Sequence, residues 1–560
     1  MCLDGHCEPT DPRAVKVALA QLNPTVGDLA GNRKLAEDAA ERASRGGAEL
    51  VVFPELALTG YPPQDLLERD GFVRDQLREL ETLAASSRQI ALCVGAVMPV
   101  EGRGGKHLAN SAVLLKDGRE HAVQHKTLLP TYDVFDENRY FVSAEGRAAC
   151  DLGDQRLGLT ICEDAWVDEI GYNRDPVGDL AANGASLVLN LSASPWRVDK
   201  PIDRRRLFGA LAVKHAVPIV FVNQVGGNDE LIFDGGSFVV DANGRVQASM
   251  PLFEPGLEIV DLETTPAVPA DSVEDPEAVD QLARGLVLGI RDYFGKLSLP
   301  PGAVIGLSGG IDSAVTAWLA VEALGAENVT GVAMPGPFSS GHSVDDAHAL
   351  ARNLGIPCRT VNISAVYEGY RNIFAELFGE QDDYGLAQLN IESRIRGATL
   401  MAISNAENRV VLASGNKSEL SVGYCTLYGD TVGGLAVLGD VYKRDVYELA
   451  RFANREDERI PVNTIEKPPS AELAPDQLDT DDLPPYDILD DVLYQAIEGG
   501  LGASGIVPPP GATKEIAANI VRRLDRNEYK RRQSPLVLRV SRKAFGTGRR
   551  LPIVHGYRQL

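Results

Sequence analysis

The sequence predicts an α/β protein of two domains, and three observations carry that prediction. The chain has 560 residues, too many for one ordinary hydrophobic core. Short, almost continuously apolar runs alternate with helix-like stretches in both halves, the pattern of strands covered on both faces. Between the halves, residues 262–280 read "LETTPAVPADSVEDPEAVD", a Pro- and acid-rich stretch suited to a linker. The expected division is 13–265, a linker at 266–280, and 281–560.

In the first half the strand candidates are "VKVALAQLN", "AELVVFPE", "IALCVGAVM", "SAVLLKD", "RLGLTICED", "ASLVLNLSA" and "PIVFVNQVG". "GNRKLAEDAAERASRGG" has helical periodicity and a Gly-Gly stop. "FDGGSFVVDANGRV" reads as a hairpin turned by "ANG". In the second half "AVIGLS", "VTGVAMP", "CRTVNIS" and "RVVLASG" are strands with helices between them. That alternation implies a doubly wound parallel sheet with right-handed crossovers. Residues 461–490, rich in Pro and Asp, read as a long irregular loop, a type of segment that is usually either a functional cover or disordered.

Composition narrows the function. With 44% apolar and 24% charged residues the chain is that of a soluble globular protein. No apolar run approaches the roughly 20 residues of a membrane-spanning helix. The start, "MCLDGHCEPTDPR", lacks a basic, apolar leader pattern, so a cytoplasmic enzyme without membrane association is expected. A formal charge of -24 repels nucleic acid. A local basic patch, "EYKRRQ" through "SRKAFGTGRR", is either a solvated face or an anion-binding edge. The seven cysteines are scattered without zinc-ligand spacing, so each is either inert core or a reactive thiol.

Three residues of the first half follow strand-like runs, where α/β folds build their sites: Glu55 after "LVVFP", Lys126 after "HAVQH" and Cys162 after "RLGLTI". A cation beside a cysteine stabilises its thiolate. A glutamate can carry the proton between thiol, leaving amine and water. Lysine can hold a tetrahedral oxyanion. Together they suit acyl transfer from an amide.

The second half opens with "AVIGLSGGIDSAV". Gly309 and Gly310 permit a tight turn that offers backbone N–H groups at a helix start, where anions are favoured. Ser308 and Ser313 add hydroxyls. Asp312 makes sense beside phosphate only with Mg²⁺ between them. The lysine of the usual triphosphate loop is missing, which argues against cleavage at the γ-phosphate.

Two resemblances extend these readings. "VVFPELALTGYPPQDLL", "HKTLLPTYDVFDENRYF" and "GLTICEDAW" resemble the signature blocks of the nitrilase family, in order, over residues 14–260. That resemblance implies a four-layer α-β-β-α sandwich. It also implies Glu55 as general base, Lys126 as stabiliser of the intermediate and Cys162 as nucleophile. Glu137 would be the supporting second glutamate, and Tyr132, Ser194 and Lys200 the pocket for L-glutamine.

"SGGIDS" resembles the pyrophosphate loop of N-type ATP pyrophosphatases, enzymes with an adenine nucleotide alpha hydrolase-like fold that split ATP between its α- and β-phosphates. "QLNIESRIRGATLMAISN", "LASGNKSELSVGYCTLYGD", "GDVYKRDVYELAR" and "EKPPSAELAPDQLDTDDLPPYDILD" resemble the NAD synthetase branch. The fusion as a whole resembles the glutamine-dependent NAD⁺ synthetases, which amidate deamido-NAD⁺ through an adenylated carboxylate. The resemblance implies that Gly306, Leu307, Ser308, Gly309, Gly310, Ile311, Asp312, Ser313 and Ser414 bind ATP. Asn390, Arg394, Lys443 and Lys530 would contact deamido-NAD⁺. Asp312 would lie near Mg²⁺, and Glu419 would be either a second Mg²⁺ carboxylate or a deamido-NAD⁺ contact. It further implies a homo-oligomer, dimeric or larger. Residues 466–485 are expected to close over the synthetase site and exclude water from the adenylate, and the fusion of two sites in one chain suggests a protein channel that carries ammonia from Cys162 to the adenylate. The competing reading is another glutamine-dependent ATP-pyrophosphatase ligase with a different acceptor.

Overall fold

The computed structural model describes residues 15–103, 105–300, 302–470, 472–474 and 477–557. The opening stretch, which carries the leader expectation together with Cys2 and Cys7, lies outside the described residues. The chain forms two compact units. One holds the described residues up to Asn228 together with Phe233–Asp275; the other holds Asp229–Ile232 and the described residues from Pro276 onward. A helix, Ala278–Lys296, begins inside the stretch expected to be linker.

The first unit contains two six-stranded sheets of matching design. One runs in the order Gly256–Asp261, Lys16–Gln21, Leu50–Val52, Ala91–Arg103, Lys106–Lys116, Arg119–His125. The other runs Val246–Ser249, Phe238–Val240, Ile219–Asn223, Leu187–Ser192, Gln155–Ile161, Cys150–Leu152. In each, three central strands are parallel and the flanking strands antiparallel. The apolar runs explain the layering, because alternate residues of one strand face opposite sides. Val17, Leu19 and Val52 meet Leu159, Leu189 and Val222 between the sheets. Ala18 and Val51 point outward onto Ala36, Ala40 and Leu83 of the helices Leu29–Arg45 and Phe72–Ala84. Phe221 and Phe238 of the second sheet likewise pack against Phe208 and Leu211 of the helix Lys200–His215. The result is the four-layer α-β-β-α sandwich.

The second unit is built on six parallel strands in the order Cys358–Thr360, Val329–Ala333, Ala303–Gly306, Val410–Ala413, Leu435–Ala436, Leu536–Val537. By position in the chain this is 3-2-1-4-5-6, the doubly wound order. Its direction reverses between Ala303–Gly306 and Val410–Ala413, and the crevice beyond those two strand ends is where such sheets place ligands. The segment expected to be an irregular loop at 461–490 contains the short helix Val462–Glu466 and the start of the helix Tyr486–Ile497. Pro461 and Pro485 stand at their N-caps. Proline is tolerated at a helix start, where no intrahelical N–H is needed, so a Pro-rich composition concealed helical starts.

Candidate active sites

In the first unit Glu55 and Lys126 leave one sheet and Cys162 leaves the other, each just past the end of its strand. Lys126 Nζ lies 2.7 Å from Glu55 Oε1 and 2.8 Å from Glu137 Oε1. Asn110 Nδ2 also donates to Glu55 Oε1 at 2.7 Å, and the Ala193 N–H donates to Glu55 Oε2 at 3.0 Å. The Tyr61 hydroxyl donates to Glu137 Oε1 at 2.9 Å. Glu55, Lys126 and Glu137 are all buried.

One ammonium is therefore shared by two buried carboxylates. Burial opposes the charge on Lys126, but Glu137 and Glu55 outweigh it and hold the lysine well above its usual range. Burial, aided by the charge of Glu55, pushes Glu137 up to about 7 against the pull of Lys126. Burial and Glu55 raise the Cys162 thiol well above its usual range and outweigh the pull of Lys126, against the thiolate stabilisation expected from the lysine alone. Cys162 adopts φ 42°, a left-handed conformation that non-glycine residues seldom hold without a local constraint. Asp164 supplies one: its carboxylate accepts the N–H groups of Ile161, Thr127 and Leu128 at 3.1, 3.0 and 2.9 Å. It ties the cysteine turn to the chain just after Lys126.

The residues expected around glutamine gather at the same end. The Tyr132 hydroxyl donates to Glu163, beside the cysteine, at 2.9 Å, and Tyr172 donates to the same carboxylate at 3.0 Å. Lys200 Nζ sits 4.0 Å from the centre of the Trp166 ring, and its charge reaches Glu163. Ser194 follows Ala193, and its N–H is held by Asn223 Oδ1 at 2.9 Å.

In the second unit a cavity of about 310 Å³ opens where the strand order reverses. Gly306–Ser308, Gly310–Ser313, Ser414, Glu419 and Lys443 line it. Gly309 is turned away at φ 77°, with its Cα against the neighbouring helix; a Cβ there would stand 2.4 Å from the Ser343 carbonyl. Asp312 accepts from Asn416 Nδ2 at 2.8 Å and pairs with Lys443 Nζ at 2.5 Å. The same ammonium lies 3.2 Å from Glu419 Oε1. Burial, with the charge of Asp312 added, pushes Glu419 up to about 8 although Lys443 pulls it down.

Asn416 caps the helix Lys417–Val422. The next residue, Lys417, is fully buried among Glu498 at 2.6 Å, Asp440 at 2.8 Å and Ser541 Oγ at 2.7 Å. Asn416 and Glu419 are thereby anchored on a rigid base.

The other residues expected at deamido-NAD⁺ collect on one segment beside this cavity. Lys530 Nζ donates to the carbonyls of Gly423 and Cys425, both at 2.8 Å. Arg394 Nε donates to Leu427 O at 3.2 Å, and Thr426 Oγ1 donates to Asn390 Oδ1 at 2.9 Å. Tyr424 of that segment lines the cavity. Lys443 stands apart from this group, with Asp312 and Glu419.

Sequence reasoning missed Asn110, Glu163, Asp164, Asn416 and Lys417. Glu163 and Asp164 carried a signal, two acids directly after a candidate nucleophile; the asparagines carried none.

Two family models cover the chain. Carbon-nitrogen hydrolase matches residues 16–267 and NAD synthase matches 282–534. A glutamine-dependent NAD(+) synthetase of Synechocystis sp. is 46% identical over 97% of this chain and 99% of its own length. One from Thermotoga maritima is 40% identical over 98% and 100%. The chain belongs to the glutamine-dependent NAD(+) synthetases. A solved synthetase from Acinetobacter baumannii, in complex with adenosine diphosphate, superposes with a TM-score of 0.76 at 38% identity, covering 97% of this chain and 98% of that one. The nitrilase-like unit and the parallel-sheet unit are thus the two halves of this family. Among the described residues of this synthetase no helix is long and apolar enough to cross a membrane.

The tight approach at Gly309 yields a test. Gly309→Ala must either move the Ser-Gly-Gly loop or push back Ser343, and displacement of about 1 Å at a reacting centre costs on the order of a hundredfold in rate. NAD⁺ synthesis from free ammonia should fall by about that factor, while glutamine hydrolysis measured without ATP is unchanged. Near-normal synthesis in the variant would show that the loop does not require this conformation.

Proposed function

We propose that this synthetase makes ammonia at Cys162 and uses it, within the same molecule, to amidate deamido-NAD⁺ activated as its adenylate at the Ser308–Ser313 loop. The observation that carries the reading is a buried cysteine within electrostatic reach of a buried Glu55–Lys126 pair in one unit, and a lysine-free Ser-Gly-Gly loop beside two acids in the other.

At the first site Glu55 takes the proton of Cys162 as sulfur attacks the side-chain amide of glutamine. Lys126 faces the developing oxyanion, and its charge is secured there by two carboxylates. Glu55 returns the proton to the departing ammonia, then draws one from the water that cleaves the thioester. Glu163 and Lys200 offer opposite charges for the α-ammonium and α-carboxylate of the substrate, with Tyr132 and Ser194 beside them.

At the second site Ser308, Gly310 and Ser313 present hydroxyls and N–H groups to phosphate. These donors satisfy one another: Gly310 N donates to Ser308 Oγ at 3.2 Å, and Ser313 Oγ donates to Gly310 O at 2.9 Å. Asp312 and Glu419 converge on one ammonium, and two carboxyl groups placed together suit a divalent cation held by one or two carboxylates and phosphate oxygens, whose charge would draw the proton off Glu419. Mg²⁺, when bound there, neutralises charge on the leaving pyrophosphate. Lys443 stays between the two acids as a fixed positive charge. Ser414 lies at the adjoining strand end beside the nucleotide. Asn390, Arg394 and Lys530 hold the segment 423–427, where deamido-NAD⁺ would lie.

A cytoplasmic location fits an enzyme fed by ATP and a dinucleotide. A homo-oligomer fits an apolar stripe on the helix Ser364–Phe378: Val366, Tyr370, Ile373 and Leu377 recur at helical spacing and are all exposed, Leu377 by 67%. Such a stripe in water calls for a partner surface, and a second copy of the chain is the occupant proposed.

Three outcomes test these readings. Cys162→Ala should abolish NAD⁺ formation from glutamine and spare formation from ammonia, with AMP released in both normal reactions and glutamine consumed equal to NAD⁺ formed; release of ADP would refute the adenylate. Glutamine hydrolysis should fall as the pH drops through about 7, because the ionised form of Glu137 is lost below its raised pKa, and Glu137→Gln should remove that limb from the profile. Leu377→Glu should lower the mass of the particle in sedimentation; an unchanged assembly places the interface elsewhere.

A further inference from the structure

Two ties reach the helix Gly341–Leu354, one from the helix Val462–Glu466 with the Lys467 that follows it and one from Glu472. Lys467 Nζ pairs with Asp346 at 2.8 Å, and Asn463 Nδ2 donates to both oxygens of the same carboxylate at 3.0 and 2.8 Å. The second tie is Glu472. Its Oε1 accepts from Ser343 Oγ at 2.7 Å and Ser340 Oγ at 3.0 Å, and its Oε2 accepts from Ser340 N at 3.4 Å. A carboxylate at the first turn of a helix also gains from the helix dipole. Glu472 holds φ 48°, a conformation that non-glycine residues seldom adopt, so its bonds select that backbone against a local preference.

The position of this tie matters. Ser343 is the residue on which Gly309 of the phosphate loop packs. Glu472 lines the same cavity as Ser308, Gly310 and Ser313. The carboxylate thus joins the chain beyond Lys467 to the wall behind the phosphates.

We propose that Glu472 is a positioning residue that keeps this chain seated over the adenylate and so sets how much of it is lost to water. The inference rests on the adenylate reading above. The acyl carbon of the adenylate has two fates. Attack by ammonia forms a C–N bond and breaks the C–O bond to AMP, giving NAD⁺, AMP and a proton. Attack by water forms a C–O bond and breaks the same C–O bond to AMP, restoring the carboxylate and releasing AMP and two protons. Each fate yields one AMP, and only the first yields NAD⁺. The ratio of AMP to NAD⁺ therefore reads the exclusion of water.

The experiment compares Glu472→Gln and Ser343→Ala with the unaltered enzyme, supplied with saturating ammonia, ATP, Mg²⁺ and deamido-NAD⁺, and follows AMP and NAD⁺ together with the melting temperature. The expected result is an AMP to NAD⁺ ratio near one for the unaltered enzyme and a several-fold rise in both variants at unchanged melting temperature. Glu472→Asp, which keeps the charge, should restore part of the coupling. A ratio that stays near one in both variants, even at a lower rate, overturns the proposal and leaves Glu472 a helix-capping contact. An unaltered enzyme that makes NAD⁺ without AMP overturns the adenylate reading as well, and that arm separates the two failures.

Discussion

A buried ammonium shared by two carboxylates recurs in this chain, and both sites are organised by it. Lys126 stands between Glu55 and Glu137, and Lys443 between Asp312 and Glu419. With both acids ionised, each group would carry one negative charge more than its lysine balances, and uncompensated charge is expensive away from water. Burial, with the second carboxylate added, raises Glu137 to about 7 and Glu419 to about 8, so one acid of each pair readily takes up a proton. Lys417, between Asp440 and Glu498, has the same composition and a different character. There Asp440 also accepts the N–H groups of Val540 and Ser541, both at 2.8 Å, and the Ser541 hydroxyl at 2.9 Å. That acid is saturated and serves as a strut. The acids of the two sites keep capacity in reserve for a substrate, a proton or a cation.

Sheet topology decides where those groups can meet. In the second unit the first and fourth strands in sequence lie side by side and point the same way. The Ser-Gly-Gly turn and the Ser414–Asn416 turn then leave the sheet together, which brings Asn416 within 2.8 Å of a residue 104 positions earlier. In the first unit the two sheets face each other, so a base and a lysine from one can address a thiol from the other across a core of aliphatic side chains. Strands set the coarse positions. Fine positions come from buried polar clamps such as Asp164 on the cysteine turn and Asn416 on the helix that carries Glu419.

Much of this arrangement is legible in the amino-acid sequence. Apolar runs locate the central strands, and the "SGGIDS" turn, singled out as a phosphate-binding candidate, lines the cavity where the strand order reverses. Placement after strand ends singles out Glu55, Lys126 and Cys162. Their convergence is not legible from spacing, because Lys126 and Glu55 are 71 positions apart and meet only through sheet pairing. Lys443 shows the same limit, since a long side chain at a helix start reaches Asp312, 131 positions away. Glu472 has no signal beyond belonging to a covering segment; its partners lie on a helix 129 and 132 positions earlier.

The charge around the phosphate loop accounts for its missing lysine. Asp312, Glu419, Asp430, Glu472 and Asp479 line the cavity against Arg396, Lys443 and Lys467. A bare triphosphate entering that acid-rich wall would be repelled at short range. A lysine within the loop would hold the β- and γ-phosphates and favour their retention. Here the pyrophosphate has to leave while AMP stays on the acyl group, and a wall rich in carboxylates resists the free anion once its counter-charge is gone. Lys443 cannot undo that bias, because two acids already claim it. Hydroxyl and N–H donors that bond to one another within the loop add only a modest hold, since each bond to phosphate replaces one already made. On the adenylate reading proposed above, such a loop orients a leaving group and lets it go.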